Sequence, residues 1–302
     1  MKPLRIGRAS FDMVGSGDHD RYFDALVDGI HDDLDRVCAA LLTDSAGVIL
    51  DVGANIGTTS AIFSQHVPDG QVYAFEPGPN VFAALQANVA TNGLSNVKPF
   101  NLAVAAKPGT IRFAEDAAFG HIVSDCSGCD VAAVSIDDFV RSSALKRVDL
   151  IKIDVEGFER GVLEGAVETI ERFAPIVHME FNLWCLMAYA KVDPIEFAES
   201  LVSTFRFVFA IDSALPDRAR RIEAGQAARF VHDRLAACGC IDDLILTNSE
   251  QVADVLESLV ITPPVAEIVS TEHHVGWRQI AAYTGRRLAL HAQALTGSRN
   301  QP

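Results

Sequence analysis

The pattern of apolar and polar positions divides the chain into a helical start and a long series of strand–helix units. Apolar residues recur at helical spacing over residues 20–43, which predicts an amphipathic helix that covers the following domain as a cap or lid. From residue 47 onward, short runs of β-branched residues alternate with segments of helical periodicity. The predicted strands are residues 47–53, 71–77, 96–104, 148–157, 174–182, 205–211 and 242–248.

The order of strands and helices predicts the fold class. Two further segments, 109–115 and 131–136, are typical of a side hairpin or of edge strands. Because strands and helices alternate so often, we expect an α/β fold in which a parallel sheet carries helices on both faces. The predicted helices between the strands are residues 56–66, 80–92, 159–173 and 194–203.

The same pattern divides the chain into three regions. Residues 1–46 are expected to form an N-terminal helical cap, 47–248 an open α/β domain, and 249–302 a helical C-terminal extension. A helical insertion is predicted at about 216–237, and its arginines form either a solvated helix face or a site for an anionic acceptor. These arginines are Arg218, Arg220, Arg221, Arg229 and Arg234.

Composition and charge exclude several classes of function. The 302 residues carry 25 Lys and Arg against 40 Asp and Glu, a net charge of −15, so we expect no binding to nucleic acid or to an anionic membrane. No apolar run reaches the roughly 18 residues of a spanning helix. No apolar stretch follows the basic start, so no secretory signal is expected. These features predict a cytoplasmic protein.

Without an export signal, the six cysteines are expected to be reduced thiols. Cys126 and Cys129 form one closely spaced pair, and Cys238 and Cys240 form another. More than about a hundred residues separate the pairs and the second spacing is short, which disfavours a four-thiolate zinc site.

A glycine turn follows the first buried strand, in the segment from Asp51 to Gly57. Gly53 and Gly57 permit a sharp turn and let a ligand lie against the backbone. Asn55 occupies the middle glycine position of the dinucleotide motif, so a cradle for a pyrophosphate is poorly supported. Taken alone, the segment could equally be a tight strand–helix turn.

Glu76, at the end of the next strand, favours a ligand-binding turn over a purely structural one. A carboxylate at that position can accept hydrogen bonds from both hydroxyls of a ribose. A single glutamate at a strand end is more often a solvated charge. Together with the glycine turn, it favours an adenosine-containing ligand.

Polar residues also interrupt two strands that otherwise read as buried. Lys152, Asp154 and Glu156 alternate along one of them, so they share a face if the strand stays extended. The next strand alternates His178, Glu180 and Asn182 in the same way. One interpretation is a Lys152–Asp154 ion pair with Glu156 capping the next helix. The other is a catalytic floor at adjacent strand ends.

The sequence resembles the FkbM-type S-adenosylmethionine-dependent methyltransferases in an ordered series of motifs between about residues 47 and 182. The matching segments are GVILDVGANIGTTSAIF, VYAFEPGPNVFAALQANVATNG, VSIDDFV, VDLIKIDVEGFERGVLEGA and IVHMEFN.

The resemblance implies a Rossmann-like class I methyltransferase sheet, S-adenosylmethionine as methyl donor, and O-methylation of a sugar or natural-product hydroxyl. It assigns Glu76 to the ribose, and the segment from Asn101 to Ala103 to the adenine. The positions it assigns to the glycine motif are Asp51, Gly53, Asn55 and Gly57.

The acceptor hydroxyl needs a base, and four residues are candidates: Asp154, Glu156, His178 and Glu180. We favour catalysis without a metal, because Lys152 on the same face would compete with a cation. Mg²⁺ held by the carboxylates is the alternative.

Two other functions stay open, a nicotinamide-dependent dehydrogenase and a non-catalytic Rossmann-like binding module. The expected partners are a small-molecule or glycan acceptor and a second copy bound through the C-terminal extension.

Overall fold

The computed structural model describes residues 1–17, 20–114, 120–122, 128–211, 219–237 and 240–259. Its strands are β1 (Lys2–Ile6), β2 (Ala9–Met13), β3 (Val48–Val52), β4 (Gln71–Phe75), β5 (Val97–Phe100), β6 (Ala103–Val104), β7 (Gly109–Ala114), β8 (His121–Ile122), β9 (Cys129–Val134), β10 (Leu150–Ile153), β11 (Ile176–Asn182), β12 (Phe207–Ile211), β13 (Arg220–Arg221) and β14 (Ile241–Thr247).

Its α-helices lie mostly between these strands, and a π-helical turn, Leu186–Ala190, follows β11. The helices are α1 (Arg21–Ala25), α2 (Asp32–Leu41), α3 (Thr58–His66), α4 (Pro79–Thr91), α5 (Ile136–Ser142), α6 (Glu159–Glu164), α7 (Val167–Phe173), α8 (Leu183–Cys185), α9 (Pro194–Thr204), α10 (Ala227–Ala237) and α11 (Glu250–Ser258). None of the described helices is long and apolar enough to cross a membrane.

An eight-stranded sheet forms the centre of the fold, in the order β13-β12-β14-β11-β10-β3-β4-β5. The strands from β11 to β5 in this order run parallel, whereas β14 is antiparallel to both of its neighbours. Helices cover both faces, which confirms the predicted Rossmann-like α/β class. Because the chain moves outward from β3 to β5 and then returns to the other side of β3 as β10, a ligand crevice is expected at their carboxyl ends.

Alternation along the central strands separates two hydrophobic cores. On β3, Ile49 joins the core that contains α3, α4 and α11 residues, and Leu50 joins the core that contains α5, α7 and α9 residues. On β10, Leu150 and Ile151 divide in the same way. Lys152, the next residue after Ile151, therefore shares the face of Leu150, as the period of two predicts.

The predicted helix over residues 20–43 is wrong, because α1 ends at Ala25 and α2 starts at Asp32. The intervening residues bond to the β1 strand instead of continuing a helix. The Gly29 N–H donates to the Arg5 carbonyl at 2.9 Å, and the Arg5 N–H donates to the Asp28 carboxylate at 2.8 Å. The antiparallel β1–β2 hairpin was not predicted, although its buried residues alternate with exposed ones.

The single strand predicted over residues 96–104 is two strands that belong to different sheets. β5 closes the edge of the central sheet, whereas β6 pairs with β9 in a four-stranded sheet of order β6-β9-β7-β8. The antiparallel pairing of β7 with β9 confirms the predicted side strands. This small sheet stands beside the carboxyl end of the central sheet and contributes to the site described below.

Two predicted helical regions also differ. The segment 159–173 divides into α6 and α7, since the Gly165 carbonyl accepts from the Asp137 N–H at 2.9 Å instead of continuing a helix. The insertion contains the strand β13 as well as α10, and its first residues lie outside the described ones. Of the C-terminal extension, 249–302, the structure describes α11 and its flanks, and residues 260–302 lie outside the described residues. The dimer contact predicted through this extension stays a prediction.

Candidate functional site

A cavity of about 900 Å³ opens at the carboxyl ends of β3, β4, β10 and β11. Gly53, Glu76, Asp154 and Glu180 line it from these strand ends. The N-terminal hairpin and helices supply a second side, and the small sheet supplies a third. The cavity therefore lies where the strand order predicts a ligand crevice.

The turn after β3 requires glycine at position 53. Gly53 has a φ of +76°, and a Cβ there would lie 1.7 Å from the Asp154 carbonyl oxygen. The loops after β3 and β10 thus meet backbone to backbone at the edge of the cavity. Asn55 also lines the cavity, and its side chain accepts from the Ile56 N–H at 2.7 Å. Gly57 precedes α3 but is not among the cavity-lining residues.

Glu76 is buried, lines the cavity and is held by the backbone of two turns. One carboxylate oxygen accepts from the Asn55 N–H at 3.1 Å, and the other accepts from the Gly78 N–H at 2.8 Å. These two bonds fix the orientation of the carboxylate at the end of β4. The ribose role of Glu76 stays a prediction.

Asp51 orients the site from behind without lining the cavity. It is fully buried, and one carboxylate oxygen accepts from Thr59 Oγ1 at 2.9 Å and from Ser60 Oγ at 2.5 Å. Its other oxygen lies 3.8 Å from Lys152 Nζ. Burial raises the pKa of Asp51, and the ammonium of Lys152 opposes this shift. The residue therefore fastens α3 to β3 and does not present its carboxylate to the cavity.

Lys152 occupies the centre of the polar network. Its ammonium donates to the Gly53 carbonyl at 2.7 Å and pairs with Asp154 Oδ2 at 3.3 Å. Burial lowers the pKa of Lys152, but the carboxylates of Asp154 and Asp51 outweigh burial and raise it above its ordinary value. The side chain is accordingly a protonated cation with its partners in place.

Three of the predicted catalytic residues come together at the cavity floor. Asp154, Glu156 and Glu180 each offer a carboxylate oxygen, and these atoms lie within 4.8 Å of one another. Such a set of carboxylates can accept a proton. Among the described residues, its oxygen atoms are also close enough together to bind one metal ion.

Glu156 sits on a tightly held turn between β10 and α6. Its backbone is left-handed, with φ of +52°, and the Cys185 thiol donates to its carboxylate with an S–O distance of 3.0 Å. Burial raises the pKa of Cys185, so this thiol stays protonated. A Cβ on Gly157 would lie 2.5 Å from the Cys185 carbonyl oxygen, so the turn packs directly on α8.

Contrary to one interpretation of the sequence, Glu156 does not cap the next helix, because the N-cap position of α6 is Phe158, with no side-chain cap hydrogen bond. Glu159 instead holds the turn before the helix. Glu159 Oε1 accepts from the Gly157 N–H at 3.0 Å and from the Val155 N–H at 3.3 Å. Its side chain is fully buried, and Oε2 has no hydrogen-bond partner. Burial raises the pKa of Glu159 to about 7, although the backbone N–H groups oppose this shift.

His178 is separated from the other predicted catalytic residues. It lies opposite Lys152 in the pairing of β10 with β11, two residues before Glu180 on the same strand. It does not line the large cavity. It lines a neighbouring cavity of about 30 Å³, and its Nδ1 has no hydrogen-bond partner. A role as base toward a ligand in the large cavity is not supported by this position.

The two residues predicted to pass the adenine also differ from each other. Ala103 lines the cavity. Asn101 does not, and its amide donates to the carbonyls of Glu76 and Pro77, each at 2.9 Å. It thereby fastens the strand end that carries Glu76.

Sequence reasoning missed the N-terminal side of the cavity. Tyr22 and His31 line it, and both contact Thr58 Oγ1, at 3.1 Å from the Tyr22 hydroxyl and 3.2 Å from His31 Nε2. The prediction of a cap indicated the region but not these side chains. Contacts between residues about 30 positions apart leave no periodic signal in a sequence.

The cysteine and arginine clusters do not contribute to the cavity as far as the structure describes them. Cys129, Cys185 and Cys240 are free thiols, and Cys126 and Cys238 lie outside the described residues. Arg234 is buried, so the predicted solvated helix face does not hold for it. Arg220 and Arg229 lie near Asp233, at 3.9 and 3.8 Å, as expected for a solvated surface. Neither lines the cavity.

The sheet order, with strand β14 antiparallel between β11 and β12, and the cavity at the parallel strand ends define a Rossmann-like fold of the class I methyltransferase type. Residues 51–200 match the family model of the methyltransferase FkbM domain. Residues 51–200 therefore match an FkbM methyltransferase domain, as the motifs predicted. This match indicates S-adenosylmethionine as the methyl donor.

Three curated relatives match part of the chain. Hexuronic acid methyltransferase AglP of Haloferax volcanii is 32% identical over 150 residues, which cover 49% of this chain and 58% of that protein. 2-O-methyltransferase NoeI of Sinorhizobium fredii is 28% identical, covering 45% and 64%. 31-O-demethyl-FK506 methyltransferase FkbM of Streptomyces tacrolimicus is 29% identical, covering 39% and 58%. The chain thus spans less than two thirds of each relative.

Solved structures resemble the chain more distantly. A methyltransferase FkbM from Methylobacillus flagellatus is 16% identical with a TM-score of 0.39, and the match covers 67% of this chain and 44% of that one. An O-methyltransferase from Bacillus cereus in complex with SAH is 11% identical with a TM-score of 0.43, covering 75% and 85%.

Proposed function

We propose that this protein transfers a methyl group from S-adenosylmethionine to a hydroxyl of a sugar or natural-product acceptor. The observation that carries the proposal is that one cavity contains both Glu76 beside the glycine turn and the carboxylates of Asp154, Glu156 and Glu180. The relatives named for a 2-O position and for 31-O-demethyl-FK506 support an oxygen acceptor.

The residues around Glu76 fit an adenosine without phosphates. Glu76 presents its carboxylate, and Leu102, Ala103 and Val104 supply an apolar edge for a base. Lys152 is occupied by Gly53 and Asp154, so it is not available to a pyrophosphate. The nearby carboxylates also suit a sulfonium cation. These features favour S-adenosylmethionine over a nicotinamide dinucleotide.

When bound, S-adenosylmethionine supplies the methyl group in an in-line displacement. The residues of this chain position the acceptor and receive its proton. A hydroxyl oxygen bonds to the methyl carbon as the carbon–sulfur bond breaks, sulfur keeps the electron pair, and the hydroxyl proton passes to a carboxylate of Asp154, Glu156 or Glu180. We propose that no metal assists, because Lys152 Nζ lies 3.3 Å from Asp154 and repels a second cation there.

Calorimetric titration with S-adenosylmethionine, S-adenosylhomocysteine and NAD tests the donor. We expect both adenosyl compounds to bind and NAD not to bind. Tighter binding of NAD would support the dehydrogenase, and binding without transfer to any acceptor would support the non-catalytic module.

Replacement of Glu76 tests the position of the ribose. Glu76→Ala removes both acceptor oxygens and should weaken donor binding by about 2–4 kcal/mol, taking each charged hydrogen bond at about 1.5–3 with partial rescue by water. Glu164→Ala, at an exposed position on α6, is the matched control and should bind like wild type. An unchanged Kd in Glu76→Ala would show that the ribose is held elsewhere.

We propose a cytoplasmic location, on the ground that the described cysteines Cys38, Cys129, Cys185 and Cys240 are not joined in disulfides.

A further inference from the structure

The cavity extends beyond the residues assigned to the donor, and this extension has apolar walls. The N-terminal segment contributes four aliphatic side chains, and the small sheet contributes Phe113 and Ile122. The four aliphatic residues are Leu4, Leu26, Val27 and Ile30. An acceptor that reaches the carboxylate floor must therefore lie against apolar surface.

The cations around this extension are already bound to other groups. Lys2 Nζ donates to the Leu26 carbonyl at 2.5 Å and lies 5.9 Å from the centre of the Phe23 ring. Lys152 is held by Gly53 and Asp154. No arginine is present among the described residues that line the cavity.

The carboxylates, in contrast, are numerous. Asp28 lines the N-terminal side, and Asp154, Glu156 and Glu180 line the floor. Arg112, on β7 of the small sheet, does not line the cavity, and the sequence of residues 113–140 contains no lysine or arginine. A carboxylate or phosphate on the acceptor would meet like charges with no arginine to pair with.

We propose that the acceptor is an uncharged hydroxyl compound with an apolar body, and not a uronic acid or a phosphorylated sugar. This inference rests on the proposed methyl transfer and specifies its substrate class. The apolar walls hold the body of the acceptor while the carboxylate floor takes the proton of its hydroxyl.

A pair of aryl glycosides that differ at one group tests the charge preference. Protein saturated with S-adenosylhomocysteine is titrated calorimetrically with 4-nitrophenyl β-glucoside, 4-nitrophenyl β-glucuronide and methyl β-glucoside. We expect the nitrophenyl glucoside to bind at least about tenfold more tightly than either of the others, which corresponds to about 1.4 kcal/mol.

Three other outcomes would contradict the inference, and a fourth would contradict the proposed function. Equal or tighter binding of the glucuronide overturns the charge preference, and equal binding of the methyl glucoside overturns the apolar wall. Absence of binding by all three glycosides overturns the inference as a whole. Failure of S-adenosylhomocysteine to bind, measured first, instead overturns the proposed function.

A single substitution in the wall gives an independent test. Val27 lines the cavity and is 50% exposed, so Val27→Arg adds a guanidinium that a carboxylate can bind. Val167, also 50% exposed but on α7 and away from the cavity, gives the matched control Val167→Arg.

We expect Val27→Arg to reduce the preference for the glucoside over the glucuronide at least about tenfold, with the affinity for S-adenosylhomocysteine unchanged. Val167→Arg should leave the preference unchanged. Equal preferences in the two variants would overturn the assignment of this wall to the acceptor.

Discussion

At the scale of single residues, Lys152 determines how the acidic floor behaves. The side chain lies between Asp51 and Asp154 and also bonds the Gly53 carbonyl, so it connects the loops after β3 and β10. Its positive charge pairs with Asp154 and opposes a divalent cation at the same carboxylates. We therefore expect the floor to transfer a proton without a metal.

Substitutions in the floor test this role. Asp154→Ala and Glu156→Ala should bind the donor nearly normally and lose turnover at least about tenfold, because a positioned base contributes about 10²–10⁴-fold to the rate. Turnover is measured as transfer of a labelled methyl group to an identified acceptor, alongside calorimetric donor binding.

Glu164→Ala serves as the surface control for both variants. Wild-type rates in the two floor variants would reject the site. Activity abolished by EDTA and restored by Mg²⁺ would reject the metal-free mechanism.

At the scale of elements, the start of α6 holds the turn that presents Glu156. Glu159 binds the N–H groups of Gly157 and Val155 from inside the protein, and burial raises its pKa to about 7 from an ordinary value of 4.5. Between these values the unfolded chain releases the proton while the folded protein keeps it. The free energy of unfolding therefore falls as the pH rises through this window.

Glu159→Gln should remove this pH dependence, because a neutral amide oxygen can still accept both hydrogen bonds. Relative to wild type, the variant should gain stability by up to about 3 kcal/mol between pH 4.5 and pH 8, from about 1.36 kcal/mol per pKa unit. Urea unfolding at several pH values measures the difference. Glu164→Gln, on the exposed face of the same helix, should show no such change, and parallel curves for wild type and Glu159→Gln would contradict the buried charge.

At the scale of the whole molecule, acidic charge dominates and several of the described surface arginines have acidic neighbours. Arg206 pairs with Glu250, and Arg221 lies 3.6 Å from Glu257. With a net charge of −15, the protein presents a repulsive field to polyanions.

We therefore expect no retention of random duplex DNA or RNA at physiological salt. A gel-shift assay at micromolar protein measures this, with a basic duplex-binding protein as positive control. Retention that falls steeply with added salt would show that a basic surface exists despite the net charge.

The sequence by itself determined the features that depend on local order along the chain. Strand periodicity placed Lys152 and Asp154 on one face, and the positions of Gly53 and Glu76 after consecutive strands placed them at one sheet edge. These features were predictable because side-chain direction in a strand repeats every two residues and parallel strands end on the same side.

Only the tertiary structure decided the contacts between distant segments. The Gly29 N–H donates to Arg5 and the Asp28 carboxylate accepts from it, which ties the segment after α1 to β1. The contact with Thr58 brings Tyr22 to the cavity, and the pairing with Lys152 places His178 two residues below the cavity floor. Burial also turned Asp51 inward to Thr59 and Ser60. Such contacts depend on how whole faces pack and on which polar groups find partners away from water, and neither is encoded in the spacing of residues along the chain.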